Sequence, residues 1–505
     1  MAIEENNNFN IVVPMAGVGQ RFVDAGYTTP KALIPILGKP MVQHTLDAFP
    51  EHVSRHLIIA ENAFSDEQLD FFKNILNCNL VFVEPHKLGP AYSFHLAAGS
   101  LPLEQSIFVS YCDIFWTWDF DEIATNLDQD GVIYTHRKFH PHLVNNNFSA
   151  FCRPREDDAN QAAEIREKQS FTDQWMEEPL SIGAFYARRG HELADAIKNI
   201  VDSDDRTANE FFPSVAFNQL IANGGDVGLQ DVDFFIHWGL PEQLDDFLRW
   251  KEIHETDLRK RNDRNVGKNI VCMAGSGSRM KGVGDIPKPF LEIRGQPMYA
   301  YVADQFPVRD VDLITSPAVT NLLSERGLPA PALPLPRQTP DQLTTLREAS
   351  SLLSREQKFF LSSCDAYGCF NAENFAKFLE IEDPDAVIFT FSPSLMQAKL
   401  AQHHTHVSVS GNRVTAVHIK SKSSPDDLGL GGFFWVRDGK YFGEIDNITD
   451  DENELCADHA FKEFIRQERK VLHFLVDQYV HIGTPEEYLE FGFWLNHFDK
   501  FPGVR

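Results

Sequence analysis

The sequence predicts an α/β fold in two tandem domains, each with a mostly parallel sheet covered by helices on both faces. Three observations predict it: apolar strand-like runs alternate with amphipathic segments, a glycine-rich loop follows the first strand, and the same motifs return in the second half. The chain has 505 residues, enough for more than one core. We therefore predict domains over 9–250 and 268–499, with the charged run Trp250 to Lys268 as the join.

The alternation of strands and helices is clearest in the first half. Short apolar runs are typical of buried strands, and apolar residues spaced one helical turn apart are typical of amphipathic helices. Helices between the strands favour parallel pairing, because each helix returns the chain across one face of the sheet. We predict strands at 11–13, 57–60, 80–83 and 107–109, helices at 41–49, 66–76 and 91–99, and further apolar segments at 132–135 and 182–186.

A glycine-rich loop directly follows the first predicted strand. Gly17 and Gly19 allow a tight turn that brings backbone N–H groups against an anion. The planar guanidinium of Arg21 can bind two phosphate oxygens at once. Lys31 adds a positive charge on a flexible side chain, and Pro30 stiffens the backbone before it. The loop lacks the third glycine of a dinucleotide fingerprint and the Gly-Lys-Ser/Thr of a Walker loop. These residues predict a cradle for a polyphosphate.

The second half repeats this cradle. Ala274, Gly275, Gly277 and Arg279 follow the strand-like run that starts at Ile270, and Pro287-Lys288 matches the earlier Pro-Lys pair. Two glycines alone describe many turns, but a strand, an arginine and a Pro-Lys pair at similar spacing occur here twice. The complete set argues against an ordinary strand-to-helix turn.

One acidic residue in each half follows a strand whose carboxyl end should lie beside the glycine loop. Asp113 ends Ser110-Tyr-Cys-Asp113, and Asp365 ends the matching Ser362-Ser-Cys-Asp365. Ligands of open α/β sheets bind at the carboxyl ends of the strands, so we expect Asp113 to lie near the glycine loop.

Composition excludes several classes of protein. The net charge of −27 argues against a nucleic acid as the main partner. Seven cysteines without a C-x-x-C pair suit a reducing compartment and no structural zinc. No apolar run approaches the length of a membrane span, and the acidic, polar N-terminus is not a signal peptide. We expect a cytoplasmic protein without a membrane partner.

The motifs together resemble a known family. The series Met15-Ala16-Gly17-x-Gly19-x-Arg21-Phe22, Gly26-Tyr27-x-x-Pro30-Lys31 and Gly38-Lys39-Pro40-Met41 resembles the sugar-phosphate nucleotidyltransferases, or NDP-sugar pyrophosphorylases. The resemblance is closest to the branch of bacterial capsule and lipopolysaccharide synthesis. It covers nearly the full chain and implies two Rossmann-like domains of the glycosyltransferase A type. Later motifs that fit are Leu88-Gly-Pro-Ala91, Glu167-Lys168, Ile182-Gly-Ala-Phe-Tyr186, Asn209-Glu210 and Gly239-Leu-Pro-Glu242.

The resemblance implies a reaction and a role for each motif. A sugar-1-phosphate oxygen attacks the α-phosphorus of a nucleoside triphosphate and pyrophosphate leaves, a reaction that depends on positioning and charge neutralisation. The implied partners are therefore an NTP and a phosphorylated acceptor, with Mg²⁺ or Mn²⁺ as cofactor. The implied residues are Ala16, Gly17, Gly19, Gly89, Ala274, Gly275 and Gly277 for the nucleotide, Arg21, Lys31, Asp113, Lys168, Arg279, Lys288 and Asp365 for catalysis, Glu167, Lys168, Gly183 and Lys422 for the acceptor, and Asp113 and Asp365 for the metal.

Two departures from the family pattern leave alternatives open. His237 and His481 stand where the family has a second metal-binding aspartate. Histidine is a poor ligand of Mg²⁺ but serves Mn²⁺, and both histidines are equally compatible with packing roles. In the second half Ser421 stands where Glu167 is expected, and Thr339-Pro-Asp-Gln342 replaces the Leu-Gly-Pro-Ala turn. The second half either takes a different acceptor or binds nucleotide without turnover.

Two rival functions are weighed against a tandem transferase. One is a catalytic domain followed by a nucleotide-binding regulatory domain. The other is a glycosyltransferase that consumes nucleotide sugars, but such enzymes usually need an Asp-x-Asp motif, and the chain has Cys112-Asp113-Ile114 and Cys364-Asp365-Ala366. The residues do not identify the nucleobase, the acceptor or the oligomeric state, and they are compatible with a homo-oligomer.

Overall fold

The computed structural model describes residues 9–125, 127–143, 146–257, 267–275, 277, 280, 283, 286–308, 310–392, 404–449 and 454–500. The chain divides into two compact units, the first extending to Phe247 and the second running from Leu248 to Asp499. The division falls inside a helix, Pro241–Asp257, so the start of the predicted charged join is helical instead. Buried Trp250 and Ile253 continue the apolar face of this helix.

The first unit contains the predicted strands and helices of the first half, with ends that differ by a few residues. Its strands are β1 (Asn10–Pro14), β2 (Pro35–Ile36), β3 (Lys39–Pro40), β4 (Ser54–Ala60), β5 (Cys78–Val83), β6 (Ile107–Ser110), β7 (Ile114–Thr117), β8 (Gly131–His136), β9 (Ala150–Pro154), β10 (Ala162–Glu167), β11 (Leu180–Ala187), β12 (Val227–Asp231) and β13 (Phe234–His237). Its helices are α1 (Gln20–Asp24), α2 (Met41–Leu46), α3 (Asp66–Asp70, continued by a π-helical turn over Phe71–Ile75), α4 (Pro90–Ala97), α5 (Phe120–Thr125), α6 (Gly190–Asp202), α7 (Pro213–Ala222) and α8 (Pro241–Asp257).

The sheet of the first unit is mixed, which corrects the prediction of a mostly parallel sheet. Its order is β10-β9-β11-β6-β1-β4-β5, and β8 pairs with both β11 and β12. Strands β6, β1, β4 and β5 are parallel to one another, whereas β11 runs antiparallel to β6, β8 and β9. Strand β11 is buried along its whole length, and a buried apolar strand has the same composition in either direction.

Both faces of this sheet are covered, as predicted. Ile11 and Val13 of β1 belong to a core that includes Val42 of α2, whereas Val12 belongs to a second core that includes Phe94 of α4 and Phe217 of α7. Successive side chains of a strand point to opposite faces, so one strand contributes to both cores.

The second unit repeats this arrangement. Strand β14 lies between β17 and β19 and is parallel to both, as β1 lies between β4 and β6. Its strands are β14 (Lys268–Met273), β15 (Glu292–Ile293), β16 (Gln296–Pro297), β17 (Val311–Thr315), β18 (Leu333–Pro334), β19 (Gln357–Ser363), β20 (Ala366–Cys369), β21 (Ala386–Phe391), β22 (His406–Ser410), β23 (Arg413–His418), β24 (Leu428–Asp438), β25 (Val471–Leu475) and β26 (Gln478–His481). Its helices are α9 (Met298–Ala303), α10 (Pro317–Glu325), α11 (Gln342–Glu348), α12 (Ser350–Leu353), α13 (Ala372–Glu382), α14 (Asp458–Arg466) and α15 (Pro485–Lys500).

The long strand β24 gives the second sheet its mixed character. It runs antiparallel to β19, β21 and β22, and the full order is β18-β17-β14-β19-β24-β21-β25-β23-β22.

Within the described part of the chain, no helix combines the length and the apolar character needed to cross a bilayer.

Candidate active site

The glycine loop of the first unit lies between β1 and α1, as predicted. Gly19 has a left-handed φ of 62°, and a Cβ atom there would lie 2.9 Å from Cβ of Lys31. A Cβ at Gly17 would meet nothing within 4 Å. Gly19 is therefore required by the fold of the loop, whereas Gly17 leaves the loop surface open to a ligand.

Lys31 and Asp113 form an ion pair beside this loop. Lys31 begins a 3₁₀ turn after Pro30, and Asp113 lies between β6 and β7. The Lys31 Nζ atom donates to Asp113 Oδ2 at 2.5 Å, and both side chains are about four-fifths buried. The predicted proximity of Asp113 to the glycine loop is confirmed.

The pair controls the charge of both of its members. Burial alone raises the pKa of Asp113, but the charge and hydrogen bond of Lys31, with a smaller contribution from His237, lower it below the usual value. Burial alone lowers the pKa of Lys31, and Asp113 more than reverses this effect. Both groups are therefore charged at neutral pH.

A cleft of about 650 Å³ opens on this pair. Of the predicted residues of the first unit, Gly17, Gly19, Arg21, Lys31, Gly89 and Asp113 line it. Ala16 does not, because it is buried in the core under α4. Other lining residues with polar or aromatic side chains were not predicted as site residues, among them Tyr27, Thr28, Thr29, His86, Lys87, Tyr111 and Phe212.

The predicted acceptor residues Glu167 and Lys168 lie at the end of β10 and do not line the cleft. Glu167 ends β10 and accepts a hydrogen bond of 2.6 Å from the Ser214 hydroxyl. Burial raises the pKa of Glu167. The hydrogen bond from Ser214 and the charge of Lys168 lower it, the charge of Glu210 raises it, and the net result is a raised pKa. The Lys168 ammonium lies 4.7 Å from the centre of the Phe212 ring.

Gly183 packs against Tyr111, a side chain that interacts electrostatically with both Glu167 and Asp113. It has a φ of 91°, and a Cβ atom there would lie 2.5 Å from the ring of Tyr111. Burial, followed by the charges of Glu167, Asp113 and Glu210, raises the pKa of Tyr111 well above its usual value. Gly183 therefore acts through Tyr111 and not through direct contact with the cleft.

His237 is buried next to the ion pair. It ends β13 opposite Ile114, and its Nδ1 lies 3.0 Å from Oε1 of Gln243. Burial, with a contribution from His142, lowers the pKa of His237 to about 3, so the ring is neutral. Its Nε2 atom is buried and has no hydrogen-bond partner among the described residues.

Asp113 and His237 together provide part of a ligand set that suits a divalent cation. A carboxylate oxygen of Asp113 and the bare Nε2 of His237 are both ligand atoms for such ions. No group of three or more His, Cys, Asp or Glu side chains in the described ranges is arranged to hold a metal. A cation bound here would therefore need phosphate oxygens or water to complete its coordination.

The second unit contains the same pair in a smaller cleft. Lys288 Nζ donates to Asp365 Oδ2, and Gly277 has a left-handed φ of 60° with Lys288 packed against it. Burial raises the pKa of Asp365, but Lys288 and His481 outweigh it and hold the pKa well below its usual range. The cleft measures about 240 Å³; Ala274, Gly275, Gly277, Lys288, Asp365 and His481 line it, while Arg279 lies outside the described residues.

The register of β23 corrects the acceptor residues predicted for the second unit. Strands β10 and β23 each lead into a lysine with left-handed backbone, Lys168 with a φ of 55° and Lys420 with a φ of 44°. In each sheet this strand pairs with a neighbour that itself pairs with β11 or β24. These pairings place Glu167 and Ile419 at the same position relative to those two strands. Lys420 is therefore the counterpart of Lys168, and buried Ile419 is the counterpart of Glu167.

The predicted match of Ser421 to Glu167 and of Lys422 to Lys168 is therefore wrong in register, whereas acceptor binding by Lys422 stays a prediction. The match aligned Ile419-Lys-Ser-Lys422 with Ile165-Arg-Glu-Lys168 by letter, although the left-handed lysine that follows the strand lies two residues earlier, at Lys420. Lys422 is exposed and does not line the cleft, whereas Lys420 does. The expected loss of the carboxylate remains, with isoleucine in its place.

The turns that begin α4 and α11 also differ. Gly89 precedes α4 with a φ of 88°, and a Cβ atom there would lie 2.7 Å from the Phe211 carbonyl oxygen. In the second unit Asp341 precedes α11, and its carboxylate accepts from the Thr344 amide at 2.7 Å. A bare backbone in the first cleft is replaced by a helix-capping carboxylate in the second.

Comparisons with known proteins found partial sequence matches. Residues 11–177 match the family model described as a MobA-like NTP transferase domain. A putative mannose-1-phosphate guanyltransferase of Sulfolobus acidocaldarius is 30% identical over 22% of this chain and 32% of its own length. A choline-phosphate cytidylyltransferase of Haemophilus influenzae is 32% identical over 17% of this chain and 38% of its own length. The chain thus spans about a third of the length of these curated relatives.

Solved structures of low sequence identity are also similar. A nucleoside-diphosphate-sugar pyrophosphorylase from Vibrio cholerae RC9 matches at 22% identity with a TM-score of 0.40, over 47% of this chain and 99% of its own. An inositol-1-phosphate CTP transferase from T. maritima matches at 14% identity with a TM-score of 0.38, over 47% and 99%. The match to the family model falls within the first unit and covers the glycine loop, Lys31 and Asp113.

Proposed function

We propose that the first unit transfers a nucleotidyl group from an NTP to the phosphate of a small acceptor and releases pyrophosphate. The observation that carries this proposal is the Lys31–Asp113 pair beside the glycine loop in a cleft of about 650 Å³. A buried cation and a carboxylate that already neutralise each other provide partners for a phosphate and a metal ion.

The chemistry needs charge placed along an in-line path. An oxygen of the acceptor phosphate attacks the α-phosphorus, and the bond from that phosphorus to the oxygen bridging the α- and β-phosphates breaks. Lys31 and Arg21 neutralise charge that builds on the transferring group and on the pyrophosphate, while the open surface at Gly17 lets the backbone approach the triphosphate. A divalent cation held with Asp113 would supply further charge neutralisation.

The acceptor in this proposal is a phosphate monoester with hydroxyl groups. Glu167 provides a buried hydrogen-bond acceptor beside Tyr111, and Lys168 provides a cation at the end of the same strand. The relatives are named for mannose 1-phosphate and choline phosphate, which share only the phosphate monoester. We favour a sugar 1-phosphate for cell-surface polysaccharide synthesis, which the motif resemblance alone supports.

A second function is favoured for the second unit: binding of a nucleotide without efficient transfer to the same acceptor. It keeps the Lys288–Asp365 pair, but Ile419 replaces the glutamate, and its cleft of about 240 Å³ is smaller. An isoleucine cannot accept a hydrogen bond from an acceptor hydroxyl.

The test is pyrophosphate release by the full chain with a panel of NTPs, sugar 1-phosphates and choline phosphate. Asp113→Asn should nearly abolish release while the thermal unfolding profile keeps both units. Lys31→Ala should remove most activity by lowering kcat more than it raises KM, whereas the matched Lys288→Ala should retain it. No release with any pair of substrates refutes the proposal, and equal losses in the two lysine variants refute the asymmetry.

A further inference from the structure

The helix that packs against β10 in the first unit has a matching helix in the second unit. Helix α7 packs against β10, and α14 packs against β23. Their sequences align without gaps, with the fully buried Phe217 and Phe461 as matching residues, so Asp458 occupies the position of Ser214. Neither Ser214 nor Asp458 belongs to a predicted motif.

A carboxylate comes from a different element in each unit. In the first unit the strand supplies Glu167 and the helix supplies Ser214, whose hydroxyl donates to Glu167 at 2.6 Å. In the second unit the strand supplies buried Ile419 and the helix supplies buried Asp458. The second unit therefore keeps a carboxylate between the strand and the helix, although the strand position itself has lost one.

Asp458 lines the second cleft together with Thr405 and Cys456. The Cys456 thiol donates to Asp458 Oδ2 at 3.3 Å. Burial raises the pKa of Asp458, against hydrogen bonds from Thr405 and Cys456 and a smaller effect of His459. Hydroxyl and thiol donors compensate a buried carboxylate less than a cationic donor does, so a cationic group of a ligand would stabilise Asp458.

The lysines that line the second cleft already have carboxylate partners. Lys288 pairs with Asp365, and Lys420 Nζ lies 3.3 Å from Glu454 Oε2. Among the described lining residues, aspartate and glutamate outnumber lysine and arginine in the second cleft, and the reverse holds in the first. The second cleft thus favours a ligand that brings a positive charge to Asp458.

Asp458 shares this cleft with the Lys288–Asp365 pair. The charges of Asp365 and Asp458, with that of Glu487, add to burial in raising the pKa of Tyr479, which lines the same cleft. The cleft measures about 240 Å³, so a small ligand can reach both Asp458 and Lys288.

We propose that the second cleft binds a small phosphate monoester that carries an ammonium group, with Asp458 as the partner of the ammonium and Lys288 as the partner of the phosphate. The proposal rests on the function proposed for the second unit and deepens it, because it names a ligand class that the first unit would not share. A charge-assisted hydrogen bond is roughly twice as strong as a neutral one, so Asp458 should select an amine over a hydroxyl.

The test compares binding of aminoethyl phosphate and hydroxyethyl phosphate to the full chain by isothermal titration calorimetry. The two probes differ only in the group at the end of a short carbon chain. All proteins carry Lys31→Ala, which weakens phosphate binding in the first cleft. Aminoethyl phosphate should bind about 10- to 100-fold more tightly than hydroxyethyl phosphate, and Asp458→Asn should remove this preference, because a hydrogen bond between charged groups is lost.

Two control variants separate the roles of the residues. Ser214→Ala changes the matching position of the first unit and should keep the preference for the amine. Lys288→Ala should weaken both probes alike, because both carry the phosphate. If Asp458→Asn does not fold, Asp458→Ser replaces it, since the first unit has serine at this position.

Three results would overturn the inference: equal affinity for the two probes, a preference that survives Asp458→Asn, or equal weakening of both probes by Asp458→Asn. The last two would leave Asp458 as a carboxylate that only stabilises the start of α14. Pyrophosphate release by a chain without the amine preference refutes this inference alone. A preference that depends on Asp458 in a chain that releases no pyrophosphate refutes the proposed transfer and leaves the amine site.

Discussion

Removing the Lys31 charge should destabilise the first unit by leaving Asp113 buried without a partner. Both side chains are about four-fifths buried and their charged atoms lie 2.5 Å apart. Breaking a buried pair on one side costs roughly 3–5 kcal/mol, and the residual exposure favours the lower figure, about 3 kcal/mol. For a unit of this size each kcal/mol lowers Tm by roughly 2–4 °C, so Lys31→Met should unfold about 6–12 °C below wild type at pH 7.

The difference should depend on pH in a defined direction. In wild type the pKa of Asp113 is lowered, so its contribution to stability is present above the pKa of the unfolded carboxyl and is lost as the pH falls through the folded value. In Lys31→Met burial raises this pKa against only the smaller effects of His237 and a backbone hydrogen bond, so the penalty disappears as the carboxyl takes up a proton. The Tm gap should therefore be widest at pH 7 and narrow towards pH 4.

Scanning calorimetry of the full chain at several pH values measures this gap. Lys31→Met/Asp113→Asn should recover most of the lost stability, because no charge is then left unpaired. Lys288→Met is the matched control, since it breaks the corresponding pair with Asp365 and should lower the transition of the second unit instead. A Tm equal to wild type at pH 7, or a gap that does not change with pH, would contradict the reasoning.

Three further predictions concern the cleft of the first unit. Glu167→Gln should lower kcat/KM for the acceptor about 10- to 100-fold, since a hydrogen bond to a charged group contributes about 1.5–3 kcal/mol; unchanged steady-state kinetics would remove Glu167 from acceptor binding. The same variant should raise Tm at pH 8 but not at pH 4, because a raised folded pKa gives stability that is lost as pH rises through it; an equal change at both pH values would speak against a buried carboxylate. Gly89→Ala should lower the free energy of unfolding by about 1–3 kcal/mol, because Gly89 has a positive φ and an added Cβ would meet the Phe211 carbonyl. Gly17→Ala should leave Tm within about 2 °C but weaken NTP binding, measured by equilibrium titration. A Gly89→Ala variant as stable as wild type would disprove the steric argument.

Sequence patterns predicted the features that depend on local chemistry. The apolar runs placed β1, β4, β5 and β6, and the rule that ligands bind at the carboxyl ends of strands brought Asp113 to the glycine loop. The ion pair of Asp113 with Lys31 was not itself predicted, although both residues belong to these two motifs. These features depend on residues close in sequence and on one general rule of sheet topology.

Features that depend on pairing between distant strands were not predicted. The direction of β11 is invisible in its composition, because a strand buried on both faces has the same residues whether it is parallel or antiparallel. The register of β23 was misread because a match of letters ignored the left-handed lysine that ends the strand. The contact of Gln243 with His237 required coordinates, since the spacing of the two residues in the sequence does not predict it.

A comparison of the two units separates what the backbone requires from what a ligand requires. Lys168 and Lys420 share a left-handed conformation, as do Gly19 and Gly277, so these positions are constrained by the same local geometry in both copies. Glu167 and Ile419 occupy matching places on the same framework but have opposite chemistry, so the framework tolerates either. The shared backbone conformations thus indicate constraints of folding, and the divergent pair of Glu167 and Ile419 indicates a difference in what the two clefts hold.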